Sequence, residues 1–342
     1  MVMSERNLYT MYRKGTQDVV IAIDSDTGKT LWESAIDAAH LPGMNVEAGP
    51  GPHSTPSVAD GRIFVTTVIG HLVALDLKTG TRLWSHDLWR EYKGTVLDRG
   101  YAASPLLHRN SVIVPVGGTG SALMAFRQSD GTKIWSAGRL DNSYSSPIII
   151  KAGGREQVAS FMAKDVFGVD AATGKVIWIV PHKTQYDINA ASPVWCAVAG
   201  VLVVSSAYDG GARGLEITKG VKELWHHNRL RVHHTNMVCS NSVVYGSSGD
   251  FGPAPVTAVD AKTGKVLWQN RAFTKASFLL SGKTLFVTDD AGSVGMASVS
   301  SGGLNVLGEA QLLRANSWTV PLLDGKRFFV RDRHRVIALQ LE

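Results

Sequence analysis

Cysteine is scarce in this chain: Cys196 and Cys239 are the two among 342 residues. That number excludes a multi-bridge disulfide framework and a metal site built on thiolates. Both stand in apolar runs, so buried free thiols are expected. Long apolar stretches are also missing. The longest falls far short of the roughly 20 residues a membrane helix needs, so no membrane span is expected. The opening MVMSERNLYT lacks the apolar core of a secretory leader. Charge of one sign is not concentrated either. The net charge is +6, but Lys and Arg scatter through turn-like segments and no nucleic-acid motif appears. Nucleic acid is therefore not an expected partner. Gly-x-Ser-x-Gly is absent, which removes the usual hydrolase nucleophile. Gly117-Gly118-Thr119-Gly120 resembles a phosphate loop in composition, but it bridges two apolar runs and opens no helix, so it reads as a turn.

What is present is a phrase that returns. It reads IAIDSDTGKTLW at 21–32 and LVALDLKTGTRLW at 72–84. It recurs as LMAFRQSDGTKIW at 123–135, FGVDAATGKVIW at 167–178, GLEITKGVKELW at 214–225 and VTAVDAKTGKVLW at 256–268. Its tryptophans (Trp32, Trp84, Trp135, Trp178, Trp225 and Trp268) stand 52, 51, 43, 47 and 43 residues apart. Such a period suits a four-stranded propeller blade. The apolar run before each turn is too short for a typical helix and rich in β-branched residues, so it reads as a strand. Both of its sides are apolar, as in a strand buried between neighbouring sheets. The Asp-x-x-Thr-Gly-Lys that follows reads as a hairpin: Asp can accept turn N–H bonds and Gly can take positive φ. The closing Leu-Trp begins an outer strand whose ring can fill the wedge between sheets. A second word, Ser-Pro or a variant, precedes each phrase at Ser54–Pro56, Ser104, Ser146, Ser192 and Thr319–Pro321. Two further copies have decayed, Met296–Leu307 and Val336–Glu342.

These residues resemble the pyrroloquinoline-quinone-like (PQQ-like) propeller repeat, with its Ala-x-Asp-x-x-x-Gly-x-x-x-Trp motif. The resemblance covers nearly the whole chain. It implies an all-β, eight-bladed β-propeller of four-stranded antiparallel blades, with residues 1–342 as a single domain. Asn7–Tyr12 reads as a second strand, so the first blade is expected to lack its inner strand. The last is expected to lack its Trp strand. Seven blades is the alternative, if the ends merge. The family includes quinoprotein alcohol dehydrogenases, the propeller lipoprotein of the outer-membrane-protein assembly machine, and a branch of exported bacterial propellers that this chain resembles most. The resemblance implies a periplasmic or secreted protein, although the chain shows no leader. The dehydrogenases hold their quinone under a vicinal cysteine pair. Here the cysteines are 43 residues apart and no haem-attachment CxxCH is present, so PQQ is not the expected cofactor.

In a propeller, the loops entering each inner strand gather on one face, and function usually lives on such loops. In this chain they are rich in polar groups. The candidates for acid–base work or metal ligation are His53, His182, His233 and His234, with Asp187 or Asp98 to orient them. A divalent metal such as calcium or zinc is one reading, although HxH and HExxH spacings are absent. Adjacent His233 and His234 are expected to point to opposite faces. Arg99, Lys275 and Arg314 suit an anion; Tyr101, Tyr144, Asn189 and Trp318 complete the candidate ligand-binding set. The resulting expectation is a monomeric binding propeller for a small anionic ligand or a protein partner. A hydrolase in the channel mouth is the alternative, and a PQQ-dependent alcohol dehydrogenase stands behind both.

Overall fold

The computed structural model describes residues 1–47, 49–250 and 252–341; Glu342, the end of the last decayed repeat, lies outside them. Among the described residues the chain forms strands and no helix. They make eight antiparallel sheets, seven of four strands and one of three, each sheet taking its strands in chain order. This is the architecture of an eight-bladed β-propeller, and it excludes the seven-bladed alternative. Sheet 1 contains Val2–Ser4, Asn7–Lys14, Gln17–Asp24 and Thr30–Asp37. Its inner strand, expected to be missing, is therefore present: Val2 pairs with Tyr9 and Ser4 with Asn7. A three-residue strand is too short to display a period in sequence. Among the described residues sheet 8 has the three strands Leu322–Asp324, Arg327–Arg331 and Val336–Gln340.

By contact density the chain falls into two compact units. Unit 1 is Met1–Ile149 with Gln157–Pro181, and unit 2 is Ile150–Glu156 with His182–Glu342. In unit 1 the repeated turn works as its composition dictates. Asp24 Oδ1 accepts from the N–H of Asp26 and Thr27 and from the Thr27 hydroxyl at 2.7–3.0 Å. Asp76 does the same with Lys78 and Thr79. These bonds hold the Asp24 and Asp76 carboxyls below the usual range. The glycine that follows takes positive φ, +70° at Gly80. It also leaves room for the indole of the preceding sheet. A Cβ on Gly80 would come within 2.5 Å of the Trp32 ring, and Gly131 and Gly174 are covered likewise by Trp84 and Trp135. The indole N–H donates to the same turn, Trp32 to the Leu77 carbonyl at 3.2 Å and Trp84 to Gln128 at 3.0 Å. In unit 2 Trp225 repeats the arrangement over Gly264 and donates to Ala261 at 2.8 Å. Trp178 departs from it and donates to Gln157 of its own sheet at 2.8 Å.

The Ser-Pro word also has a structural use. In unit 1 the Thr55 N–H donates to Ser104 Oγ, and the Ser104 N–H donates to Ser146 Oγ, both at 2.9 Å. Consecutive inner strands are linked by side chains where no backbone ladder runs between them. Beneath them, fully buried Asp18 accepts from Arg13 at 2.8 Å and from the Val68 N–H at 2.7 Å. In unit 2 the cysteines depart from expectation. Cys196, at the end of Val194–Cys196, and Cys239, in Met237–Ser240, form a disulfide with Cα atoms 5.6 Å apart. They join the inner strands of two consecutive sheets. Two apolar segments 43 residues apart gave no sign in sequence that the repeat sets them side by side.

Candidate functional site

The loops entering the inner strands carry two polar clusters, one in each unit. In unit 1, Tyr144 donates its hydroxyl to Asp98 Oδ1 at 2.5 Å. Burial and the Asp98 carboxylate push the Tyr144 phenol above its ordinary range. The Asp98 loop is pinned from behind: its carbonyl accepts from the Asn45 N–H at 2.7 Å. Arg99 is half-buried and its backbone bonds Tyr144. Tyr101 lies beneath, fully buried, and its hydroxyl donates to the Pro115 carbonyl at 2.6 Å. That burial pushes the phenol's pKa well above its ordinary range. His53 is exposed on a neighbouring loop, next to the left-handed Gly51. Tyr101 is thus part of the frame, whereas Asp98 and Tyr144 face outward as a pair.

In unit 2, His182 is fully buried and held at both ring nitrogens. Arg213 Nε donates to Nδ1 at 3.0 Å, so the proton sits on Nε2 and donates to Ser206 Oγ at 2.7 Å. Arg213 in turn binds Glu223. Burial first, then Arg213 and His226, lower the His182 pKa to about 3. It is a neutral bracket between loops. Asp187 sits at positive φ in the turn that follows, its N–H donating to Thr184. Asn189 is buried below it.

The most extended feature of unit 2 is a strip of rings. Tyr186 meets Tyr208 edge-to-face with centroids 5.1 Å apart, and Tyr208 meets His233 at 4.9 Å. His233 meets His234 at 4.3 Å, and His234 stacks on Trp318 at 5.2 Å and 11°. The Arg333 guanidinium lies 5.8 Å from the Trp318 ring. Trp318 is anchored by its indole N–H to Asp290. Of the adjacent histidines, His233 is buried and His234 exposed, but their rings meet, so the expected opposite orientation does not hold: the pair lies at a bend and not in a strand. The strip therefore unites residues from four separate loops. Lys275, at positive φ, sits on a further loop of the same unit, and exposed Arg314 sits on the loop that carries Trp318. Among the described residues no three or more of His, Cys, Asp and Glu are placed to hold a metal ion.

A family model described as outer membrane protein assembly factor BamB matches residues 16–270 and 252–342. The chain belongs to that family. The BamB of Moranella endobia is 26% identical over 332 residues, covering 92% of this chain and 78% of that protein. A quinoprotein ethanol dehydrogenase from Pseudomonas aeruginosa is 29% identical over 149 residues, covering 38% of this chain and 23% of that enzyme. Among solved structures, BamB from Moraxella catarrhalis superposes with a TM-score of 0.69 at 18% identity, covering 99% of this chain and 97% of that one. A quinohemoprotein alcohol dehydrogenase from Comamonas testosteroni superposes at 0.64 and 13% identity, over 96% of this chain and 69% of the enzyme.

For this BamB-family chain, the arrangement is better suited to holding a partner than to moving protons. His182 has neither a free nitrogen nor access to solvent. The outward groups are rings, a guanidinium and an amine, which attract acidic and aromatic groups. Sequence reasoning missed Tyr208, Arg333, Ser206 and Arg213. Tyr208 lies in the short turn between Val201–Ser206 and Gly211–Ile217, away from the segments that lead into the inner strands. Arg333 lies between two strands of a sheet that had lost its repeat signature.

Proposed function

We propose that this chain is a binding propeller of the BamB type, exported to an oxidising compartment, where it holds a partner in the assembly of outer-membrane proteins. The observation that carries the reading is the ring strip Tyr186–Tyr208–His233–His234–Trp318 with Arg333 at its end. Tyr186 and His234 are exposed and Tyr208 and Trp318 half-buried, and aromatic rings beside an arginine are typical anchors of protein interfaces. The strip suits an acidic or aromatic anionic group, whether carried on a partner's loop or on a small ligand. The Cys196–Cys239 disulfide supports export, because such bonds persist in the periplasm and outside the cell. The hydrolase alternative is weaker, because its best-placed base, His182, is locked as a neutral donor and acceptor. A PQQ dehydrogenase is weaker still, because the disulfide joins distant strands and is not a vicinal pair.

The test is complementation. The chain, given an export leader, is expressed in a Gram-negative host that lacks its own BamB, and outer-membrane protein levels are measured. The expected result is partial restoration that is lost in Trp318→Ala/Arg333→Ala without a change in thermal stability. Folded protein in the periplasm with no restoration, or restoration unaffected by the double substitution, overturns the reading.

A further inference from the structure

The end of the ring strip away from Arg333 has its own geometry and the opposite charge. Tyr208 stands second in the turn Ala207–Gly210, which the Gly210 N–H closes on the Ala207 carbonyl at 3.0 Å. Tyr208 and Asp209 take φ of +51° and +65°. Two consecutive positive φ values make a turn that favours Asn-Gly. The Asn241-Ser242 turn of the same unit has such values, +46° and +67°, and begins on asparagine. Among the described residues Tyr208 is the one aromatic residue at positive φ. A bulky side chain there is an outlier, and such strain collects where a side chain is needed for contact.

The bonds around the turn place its ring. The Tyr208 carbonyl accepts from the Gln185 N–H at 2.9 Å, which sets the 182–189 loop beside it. Tyr186, the next residue of that loop, is 58% exposed. The Tyr186 and Tyr208 rings stand at 83° to each other, and the Tyr208 and His233 rings at 81°. Two rings at right angles present a face on each side of a corner, and the negative faces of aromatic rings attract a cation. Asp187 follows Tyr186, and exposed Asp209 follows Tyr208. Against these two carboxylates the loop and the turn hold one ammonium, Lys183. At the other end of the strip the sign is reversed, because Arg333 lies over Trp318.

We propose that the Tyr186–Tyr208 corner seats a cationic side chain, lysine or arginine, carried on an extended segment of a partner protein. The ammonium or guanidinium lies against the two ring faces, with the Asp209 carboxylate beside it. Charge along the strip gives the segment a direction, with its basic residue at the tyrosines and its acidic residue at Arg333. The seat shares the strip with the assembly partner proposed above. Its test uses the purified protein, so it can succeed or fail independently of the assembly role.

The probe is the capped peptide acetyl-Gly-Lys-Gly-amide, titrated into the intact protein and followed by NMR. The Tyr186 and Tyr208 ring resonances should shift saturably, and ring currents should move the lysine methylene signals upfield. A peptide with norleucine in place of lysine keeps the apolar stem and loses the charge, and should bind about tenfold more weakly or worse. Tyr186 is exposed, so its variants should keep the native thermal stability. Tyr186→Phe retains the ring face and should bind like the native chain. Tyr186→Leu is as apolar but offers no ring face, and should weaken binding about tenfold. Asp209→Asn, which suits the positive φ, should weaken binding severalfold and reduce its dependence on salt. Unmoved tyrosine resonances at tens of millimolar peptide, equal binding by the norleucine peptide, or native binding by Tyr186→Leu overturn the proposal. So does choline binding about tenfold more tightly than the lysine peptide, because a small quaternary ammonium would then be the occupant.

Discussion

Lowering the pH from 7 to 5 should remove about 2 kcal/mol of stability through one side chain, His182. In the unfolded chain this imidazole titrates near its ordinary value of about 6.5. In the folded chain burial, Arg213 and His226 hold it at about 3. Between these values the unfolded state binds a proton that the folded state refuses. The contribution is fully present above about pH 6.5 and is lost as the pH falls toward 3. At pH 5 the gap is about 1.5 pH units, and at about 1.4 kcal/mol each this gives roughly 2 kcal/mol. The assay is urea unfolding at closely spaced pH values for the native chain and for His182→Gln. Glutamine keeps a donor for Ser206 and an acceptor for Arg213 but does not titrate. The variant should start somewhat less stable at pH 7 and lose about 2 kcal/mol less on the way to pH 5. A His182 resonance titrating near pH 6.5 in the folded protein, or equal pH slopes in the two proteins, would refute the reasoning.

Two other perturbations follow from the frame. Cys196→Ser with Cys239→Ser opens a 43-residue loop. It should cost about 4 kcal/mol by loop-closure entropy, read as a lower urea midpoint that reductant reproduces in the native chain and leaves unchanged in the variant. Gly80→Ala places a methyl at positive φ and against the Trp32 ring. It should cost about 2–4 kcal/mol and alter the Trp32 fluorescence, whereas Gly15→Ala, whose turn has open space around it, should cost only the backbone strain.

Much of the fold was legible because the repeat states one physical problem six times. Each copy carries a strand and a ring, most carry an Asp in the turn, and the rings of Trp32, Trp84, Trp135 and Trp225 each need the glycine of the next turn beneath them. Where the copy was intact, strand and turn fell where the phrase placed them. The inner strand Val2–Ser4 was missed because three residues cannot show a period. The disulfide was missed because proximity across a repeat is a property of the folded frame and not of either cysteine's surroundings in sequence. The loop clusters were legible in part. Listing polar residues before each inner strand found His233, His234 and Trp318, but composition could not show that His182 faces Ser206 and Arg213 and not solvent. It also passed over Tyr208, which lies in a short turn away from the segments that lead into the inner strands.

The serines of the Ser-Pro word have one more consequence. Ser104 offers its oxygen to the Thr55 N–H one repeat earlier and its own N–H to Ser146 one repeat later. Such a link is blind to its place in the series. If a whole repeat were duplicated or deleted from the gene, the two residues newly brought together would be the same kinds as those separated. The link therefore cannot tell one repeat from the next, and the choice of neighbour is left to contacts that differ between copies, such as that of buried Asp18 with the Val68 N–H.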